Sequence, residues 1–360
     1  MKRYLIISLV VMFVACSRKE DVKPVSRSDR KIVLQSLGDN VILGTFLELQ
    51  TLMYSLEARS KSYFVEPTQA MQLLQLQNEW RTASLGWKRA SFFTFSPLDE
   101  GKLTAVFFTQ PDTAAIELAI SQTNFEIDST YIANASGNSK GLLATEYLIF
   151  GSNNAGTAAV INSFTSKNGK RRLAYLEALT KNLLHPANSM MYKWSKGGEG
   201  HVTSFIASDG NDDQSSVTII ANQLVRSIAR IKNERIGVPM GYTSGIPRID
   251  LIEGRFSNQS LALIRAELEG IQSAFTGRGL MQKSNGLNYL LDLRQEKSGG
   301  KLLSAEIEEQ FSKIYMHIKS MDIPLKEAIV KKREDVQKLY DLLNKLEQTV
   351  RTDVVKNLNS

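Results

Sequence analysis

Apolar residues recur at helical spacing along most of the chain, and this periodicity limits the fold more than any other feature. One stripe advances by 4, 3, 4 and 3 residues, through Ile42, Phe46, Leu49, Met53 and Leu56. After a break at Glu66-Pro67, a second stripe runs through Leu73, Leu76, Trp80, Ala83 and Trp87. Such spacing places each set on one face of a helix. Two helices with a short connection predict an antiparallel pair of a helical bundle.

The same spacing continues to the C-terminus and predicts further helices over 111–122, 170–194, 217–233, 257–275, 302–321 and 322–358. Pro186 is expected to kink or split the second of these. The aromatic segment 92–108 is expected to form a packed loop, since it contains Pro97 and Gly101. The pattern predicts an all-α fold with two packed helical-bundle domains of about four long helices each. The domains are expected over 31–196 and 217–358, joined by a linker at 197–216 that is rich in Gly, Ser and Asp.

The first 15 residues have the pattern of a signal peptide. Lys2-Arg3 is followed by an uncharged, mostly apolar run of 12 residues, 4–15. A membrane-spanning helix needs roughly 17–25 apolar residues, so this run is too short to span. The run ends at Ala15, directly before Cys16, which is the only cysteine of the chain. The segment 13–16 resembles the bacterial lipobox, although Phe13 stands where leucine is usual.

This resemblance implies a lipoprotein that is cleaved before Cys16, whose thiolate takes a diacylglyceryl group with acyl chains such as palmitate. Residues 16–30 are charged and poor in apolar side chains, which predicts a flexible tether. Ser17, rather than aspartate, follows the cysteine, and by resemblance to lipoprotein sorting this favours the outer membrane, facing the periplasm. The expected partner is therefore the membrane, through the lipid anchor. Plain secretion is the alternative.

Composition excludes several classes of function. The formal charge of +7 arises from basic and acidic residues that are spread along the chain, without the basic stripe of a nucleic-acid-binding protein. The three histidines, His185, His201 and His317, do not form any HxxH or HExxH motif. The sequence also lacks a Cys/His zinc cluster, a GxSxG elbow and a P-loop.

One carboxylate, Glu146, lies within the apolar run 141–150. A buried carboxylate is costly unless it is paired or hydrogen-bonded. Its partner could be a basic side chain, a set of hydrogen-bond donors or a metal. The alternative interpretation is a residue on the helix surface or an ordinary structural pair.

The segment Gly141-Leu142-Leu143-Ala144-Thr145-Glu146-Tyr147-Leu148-Ile149-Phe150 resembles the Gly-x-His-x-x-Glu motif, followed by Tyr-Leu-Leu-Phe, of the imelysin-like family. Other similar segments follow the same order and together span roughly residues 35–358: 79–80, 95–97, 235–239, 253–261 and 346–358. The resemblance implies two helical-bundle domains with a functional site between them. The founding member is assigned as a metallopeptidase, relatives include a periplasmic iron-uptake component, and lipoprotein members are common.

The chain departs from the family motif at the residues that matter for metal chemistry. Leu143 stands where the family has histidine, and Gly254 stands where serine usually follows the later glutamate, Glu253. A zinc hydrolase needs about three protein ligands and an open position, and Glu146 is the only candidate ligand of the motif. Zinc is therefore not expected, while iron stays open. The family site carries over at Glu146, Glu253, Arg255 and Ser257, with Arg255 and Arg81 as candidate partners of Glu146.

From these observations we predict a non-enzymatic, imelysin-like lipoprotein of the cell envelope. It would bind a ligand or a protein partner in the cleft between the two bundles, in the context of iron or haem acquisition. The partner could be an envelope protein of an iron-uptake system. The alternatives are a metal-dependent peptidase, which Leu143 disfavours, and a structural module that docks on other envelope proteins.

Overall fold

A computed structural model describes residues 24–151, 155–279 and 284–358. The predicted signal peptide, Cys16 and most of the predicted tether lie outside the described residues. Lipidation of Cys16 therefore stays a prediction from the sequence.

Most of the described chain is helical and its two strands have two residues each, which confirms the all-α prediction. Its first half contains α1 Arg27–Gln35, a π-helical segment Ser36–Ile42, α2 Leu43–Val65, α3 Ala70–Ala90, a 3₁₀ turn Ser91–Phe93, α4 Glu100–Phe107, α5 Thr113–Ser121, α6 Ser129–Asn134, a 3₁₀ turn Gly137–Ser139, α7 Gly141–Phe150, α8 Gly156–Thr165, α9 Gly169–Asn182, α10 Leu184–Trp194 and α11 His201–Ala207.

The second half contains α12 Ser216–Arg230, a π-helical segment Ile231–Gly237, α13 Val238–Met240, a 3₁₀ turn Ile249–Leu251, α14 Ser260–Thr276, α15 Leu287–Leu293, β1 Lys297–Ser298, β2 Lys301–Leu302, α16 Leu303–Ser320, α17 Leu325–Lys331, α18 Arg333–Thr349, a π-helical segment Val350–Val354 and α19 Val355–Leu358. The two short strands form an antiparallel hairpin, in which Lys297 pairs with Leu302.

The two apolar stripes predicted for the first helices form the centre of the core. All ten residues of these stripes are buried, and α2 packs against α3 along its length. Helix α10 packs on the other side of α2, where the indole of Trp194 contacts the ring of Phe46 edge to face. The helix is interrupted close to Pro186, as predicted. Helix α9 ends at Asn182, and α10 begins at Leu184.

Helix α3 also packs closely against α14, from the second half of the chain. Gly270 lies at the point of closest approach, where a Cβ atom would overlap the carbonyl oxygen of Arg89. Glycine at this position lets the two backbones meet. The contact fixes the neighbouring side chains of α3 and α14 against each other, while the division into domains at 31–196 and 217–358 stays a prediction.

Two segments that were expected to be irregular contain helices. The predicted linker 197–216 includes α11, in which Val202 and Phe205 are buried against the rest of the fold. The predicted loop 92–108 includes α4, which begins after Asp99, whose carboxylate accepts a 3.0 Å hydrogen bond from the Lys102 backbone N–H. In both segments the glycines and prolines flank the helix or lie in its first turn. The few apolar residues between them have helical spacing, and they form a short helix.

Among the described residues, one continuous helix, Arg27–Val65, is long and apolar enough to cross a membrane. In its most apolar window 56% of the residues are buried inside the fold. This helix packs as a core helix does. The apolar stripe of α2 and the π-helical segment Ser36–Ile42 both contact neighbouring helices.

Candidate functional site

Glu146 lies on α7, whose side chains are buried on almost every side because the helix is apolar throughout. The residue is 1% exposed. Its Oε1 atom accepts a 2.7 Å hydrogen bond from the backbone N–H of Ser257, in the loop that precedes α14. The predicted buried carboxylate therefore has a hydrogen-bond partner, and that partner is a neutral peptide group.

Burial raises the pKa of Glu146 to about 7, because removal from water disfavours the charged form. The polar side chain of Ser257 and the backbone N–H groups of Ser257 and Phe256 act in the opposite direction, as does the positive charge of Arg255. The carboxyl group therefore changes its protonation state near neutral pH.

The loop 253–259 is folded so that its backbone faces α7. Gly254 has a φ of +66°, and a Cβ atom there would lie 2.7 Å from Leu263 Cδ1. Its carbonyl oxygen accepts a 3.0 Å hydrogen bond from the backbone N–H of Gln259 and a 3.3 Å hydrogen bond from the Ser257 hydroxyl. Glycine is thus required at the position where the family usually has serine, and the turn presents the Ser257 N–H to Glu146.

The two arginines named as candidate partners of Glu146 do not contact its carboxyl group directly. Within the described residues, neither Arg81 nor Arg255 forms an ion pair with Glu146 within 4.0 Å. The guanidinium of Arg255 lies 4.7 Å from the centre of the Phe256 ring, and that of Arg81 lies 5.1 Å from the centre of the Phe150 ring. The Ser257 backbone is the direct hydrogen-bond partner of Oε1 of Glu146, while Arg255 acts on this carboxyl group through its positive charge, without an ion-pair contact.

The residues around Glu146 do not fit a metal centre. Leu143, at the position of the motif histidine, is 1% exposed and part of the hydrophobic core. In the three described ranges, no group of three or more His, Cys, Asp or Glu side chains is arranged to hold a metal ion. A packed leucine and a carboxyl group that is bonded to a peptide N–H cannot supply the ligand set of a catalytic zinc.

Glu253 belongs to a different cluster, in which acidic and basic side chains from five helical segments and one loop meet. Its Oε2 atom lies 2.6 Å from Nζ of Lys88 on α3, and its Oε1 atom lies 3.1 Å from Nη1 of Arg235. Lys88 Nζ also lies 3.1 Å from Oε2 of Glu267 on α14. Arg230, at the end of α12, pairs with Glu267 at 3.2 Å and with Glu100 on α4. We call Lys88, Glu100, Arg230, Arg235, Glu253 and Glu267 the ion-pair network.

The network keeps its buried members charged. Burial alone would raise the pKa of Glu267, but the charges of Lys88, Arg235 and Arg230 hold that pKa well below its usual range. Burial alone would lower the pKa of Arg235, and the facing glutamates raise it instead. A buried charge is tolerated when several opposite charges and donors surround it, as they do here.

The sequence interpretation missed Lys88, Glu267 and Arg230. Glu267 carried a signal, since it lies four residues after Leu263 and four before Ile271, on the buried face of α14. Lys88 directly follows Trp87 and lies four residues after the buried Ser84. A charge in phase with an apolar stripe indicates a buried partner, and each of these two charges is the partner of the other.

An open cavity of about 600 Å³ lies beside the network, between α4 and the end of α12 with the following π-helical segment. Its wall contains three arginines, two glutamates, small residues and neutral polar residues, namely Arg226, Arg230, Arg235, Glu100, Glu234, Gly101, Ala105, Thr104, Thr109 and Gln223. The site residues predicted from the sequence do not line it. Glu253 reaches it only through its ion pair with Arg235.

Comparisons with known proteins agree with this architecture. A search of curated proteins found no significant match. An iron-regulated protein A precursor from Parabacteroides distasonis, as that protein is named, has a similar structure with a TM-score of 0.74 and 15% identity, over 94% of this chain and 97% of the other. An imelysin-like protein from Psychrobacter arcticum superposes with a TM-score of 0.71 and 14% identity, over 93% and 96% of the two chains.

At these identities the two structures show the fold alone. The family model of Imelysin, Peptidase M75, matches residues 48–352, which is most of the chain and includes α7, the loop 253–259 and all of the ion-pair network. The chain therefore belongs to the imelysin family.

Proposed function

We propose that this protein is a non-enzymatic binding protein of the cell envelope, with a role in iron acquisition. Its ligand binds in the cavity between α4, α12 and the segment Ile231–Gly237. The observation that carries the proposal is the cavity itself, whose arginine wall is held in place by the buried ion-pair network. Ligand sites are usually preformed hollows of roughly 300–1,000 Å³ with a few fixed polar groups.

The chemistry around Glu146 supports binding over catalysis. Leu143 removes the only imidazole that the family motif would supply, and Glu146 is engaged by the Ser257 backbone. The role of this region is to join α7 to the loop before α14. That loop carries Glu253, and Glu253 in turn holds Arg235 at the wall of the cavity.

The family and the N-terminus support the envelope location and the iron link. A structural relative is named as an iron-regulated protein precursor. In this chain, the predicted signal peptide and the cysteine at its end favour export and a lipid anchor. A lipid-anchored binding protein would hold its ligand at the membrane, where an uptake system works. The outer membrane and a protein partner from that system remain expectations of the sequence.

Filling the cavity tests this function without any assumption about the ligand. Ala105 is exposed on α4 and lines the cavity, so Ala105→Trp fills part of it with an indole ring. Ala58→Trp is the matched control, because Ala58 is exposed on α2 and lies outside the cavity wall. A host strain that lacks the gene would be complemented with each variant and grown with limiting iron.

We expect the wild type and Ala58→Trp to restore growth, and Ala105→Trp to fail although it accumulates to the same level with the same melting temperature. Full growth with Ala105→Trp would exclude the cavity as the site. Normal growth of the uncomplemented strain in limiting iron would exclude the iron role.

A further inference from the structure

We infer that the cavity recognises a small anion through a carboxylate or phosphate group, and that Arg226 makes the main charged contact. This inference rests on the proposed function, since it names the ligand class of the same cavity. It depends on how the charges of the cavity wall are paired.

The acidic residues of the wall are already engaged by two of the three arginines. Glu100 forms an ion pair with Arg230. Glu234 lies 3.4 Å from Arg235, which also pairs with Glu253. These ion pairs neutralise the charges of Arg230 and Arg235. Neither glutamate of the cavity wall is then available to pair with Arg226.

Arg226 is the wall residue whose positive charge has no acidic partner within the described ranges. Its Nε and Nη2 atoms donate hydrogen bonds of 3.1 and 2.8 Å to one neutral acceptor, Oε1 of Gln223. Gln223 is buried, so this bidentate contact fixes the guanidinium at the wall. A guanidinium has five N–H donors, and the Nη1 group of Arg226 stays available to an oxyanion.

The neighbouring donors favour the same class of ligand. Because Oε1 of Gln223 accepts from Arg226, the amide nitrogen of Gln223 is left as a donor. Thr104, on α4, lines the opposite wall. Such a set suits a carboxylate or a phosphate, whose oxygens accept several hydrogen bonds at once.

The size and charge of the site limit the ligand further. A volume of about 600 Å³ suits a small organic acid or phosphate ester rather than a polymer. Arg226 is one cation without an acidic partner, and the wall also contains Glu100 and Glu234. This combination favours an anion of low charge, because the two carboxylates would repel a polyanion. A free metal cation would meet Arg226 and is disfavoured.

Calorimetric titration of the purified full-length protein with lactate, a monocarboxylate, and with inorganic phosphate tests the inference and separates the two groups. Arg226→Gln removes the charge of an exposed side chain and should not disturb folding. Arg265→Gln is the matched control, since Arg265 is half-exposed on α14, pairs with Glu269, and lies outside the cavity wall.

We expect the wild type and Arg265→Gln to bind at least one of the two anions. Arg226→Gln should weaken that binding by about tenfold or more, since a charge-assisted hydrogen bond is lost. Higher ionic strength should weaken wild-type binding, because the attraction is between charges. Absence of binding of both anions, or equal binding by Arg226→Gln, overturns the inference.

The two proposals fail in different ways. If Ala105→Trp abolishes growth in limiting iron but neither anion binds, the cavity keeps its function and the anion inference is wrong. If an anion binds in an Arg226-dependent manner while Ala105→Trp supports full growth, the inference holds and the iron role is wrong.

Discussion

The backbone N–H of Ser257 donates a 2.7 Å hydrogen bond to Oε1 of Glu146, across 111 residues of sequence. The buried carboxyl group of Glu146 therefore has a neutral hydrogen-bond partner at Oε1, rather than a cation or a metal ion. This contact leaves the protonation of Glu146 to be set mainly by its burial. The consequence can be measured as a dependence of stability on pH.

Replacement of Glu146 by glutamine should flatten the stability profile between pH 5 and pH 8. The pKa of Glu146 is raised from 4.5 to about 7 in the folded protein, so its contribution is fully present below 4.5 and is lost as the pH rises through 7. The wild type should lose about 3 kcal/mol from this group over that range. Glutamine keeps an oxygen for the Ser257 N–H and does not ionise.

Urea denaturation at both pH values, with Glu66→Gln as an exposed control, measures this effect. Glu146→Gln should gain stability relative to the wild type at pH 8 and not at pH 5. A constant difference between the two proteins at both pH values would contradict the raised pKa.

Replacement of Lys88 by methionine should destabilise the protein by up to about 3–5 kcal/mol, because the buried Glu267 and the partly buried Glu253 lose a shared cation. Lys88 is 3% exposed, and its Nζ contacts both Glu253 and Glu267. The control is Lys102→Met, whose side chain is 86% exposed and should change stability little.

The double variant Lys88→Met with Glu267→Gln should recover part of the loss, since it also removes the buried charge on α14 that has lost one of its three basic partners. Chemical denaturation of the two single variants and the double variant gives the coupling energy. Additive losses would show that the ion pair between Lys88 and Glu267 does not contribute to stability.

Two glycine-to-alanine variants should shift the melting temperature in opposite directions. In Gly270→Ala the new methyl group would overlap the Arg89 carbonyl oxygen, so α3 and α14 must separate, at a cost of about 1–3 kcal/mol. In Gly44→Ala, on α2, the methyl group meets nothing within 4 Å and should stabilise the helix by up to about 1 kcal/mol. Calorimetry measures the melting temperatures of the two variants. Equal shifts in the melting temperature would contradict the close approach of α3 and α14 at Gly270.

Lipidation of Cys16 predicts that Cys16→Ser remains unanchored. Wild-type protein should take up labelled palmitate and sediment with membranes, whereas Cys16→Ser should take up none and stay in the soluble fraction. A Ser17→Asp variant should move the protein to the inner membrane if the sorting signal is that of other lipoproteins. Sedimentation of Cys16→Ser with the membranes would argue for a different attachment.

The periodicity of the sequence was sufficient to predict the long helices. Most of the core is built from apolar stripes, such as Leu73, Leu76 and Trp80, whose residues lie three or four positions apart in the sequence. The same method overlooked α11, whose apolar stripe is a single turn surrounded by Gly, Ser and Asp. A short amphipathic turn is decided by the neighbours it packs against, and the sequence does not name those neighbours.

For the candidate site, the apolar run around Glu146 indicated that its carboxyl group could be buried, but it did not identify the partner. The partner is a backbone N–H, which every residue except proline has, so no side-chain type could mark Ser257. The pairing of Lys88 with Glu267 has a sequence signal on each helix, but the match depends on the crossing of α3 and α14. That crossing is set by the absence of a side chain at Gly270.

The close contact of α3 with α14 has a consequence for how a ligand would associate. With the two backbones touching at Gly270, the halves of the chain cannot swing apart there without breaking the core. The cavity beside α4 is already open to solvent, so binding would need no hinge motion. We expect association in a single step, with a rate proportional to ligand concentration and without a slow isomerisation phase.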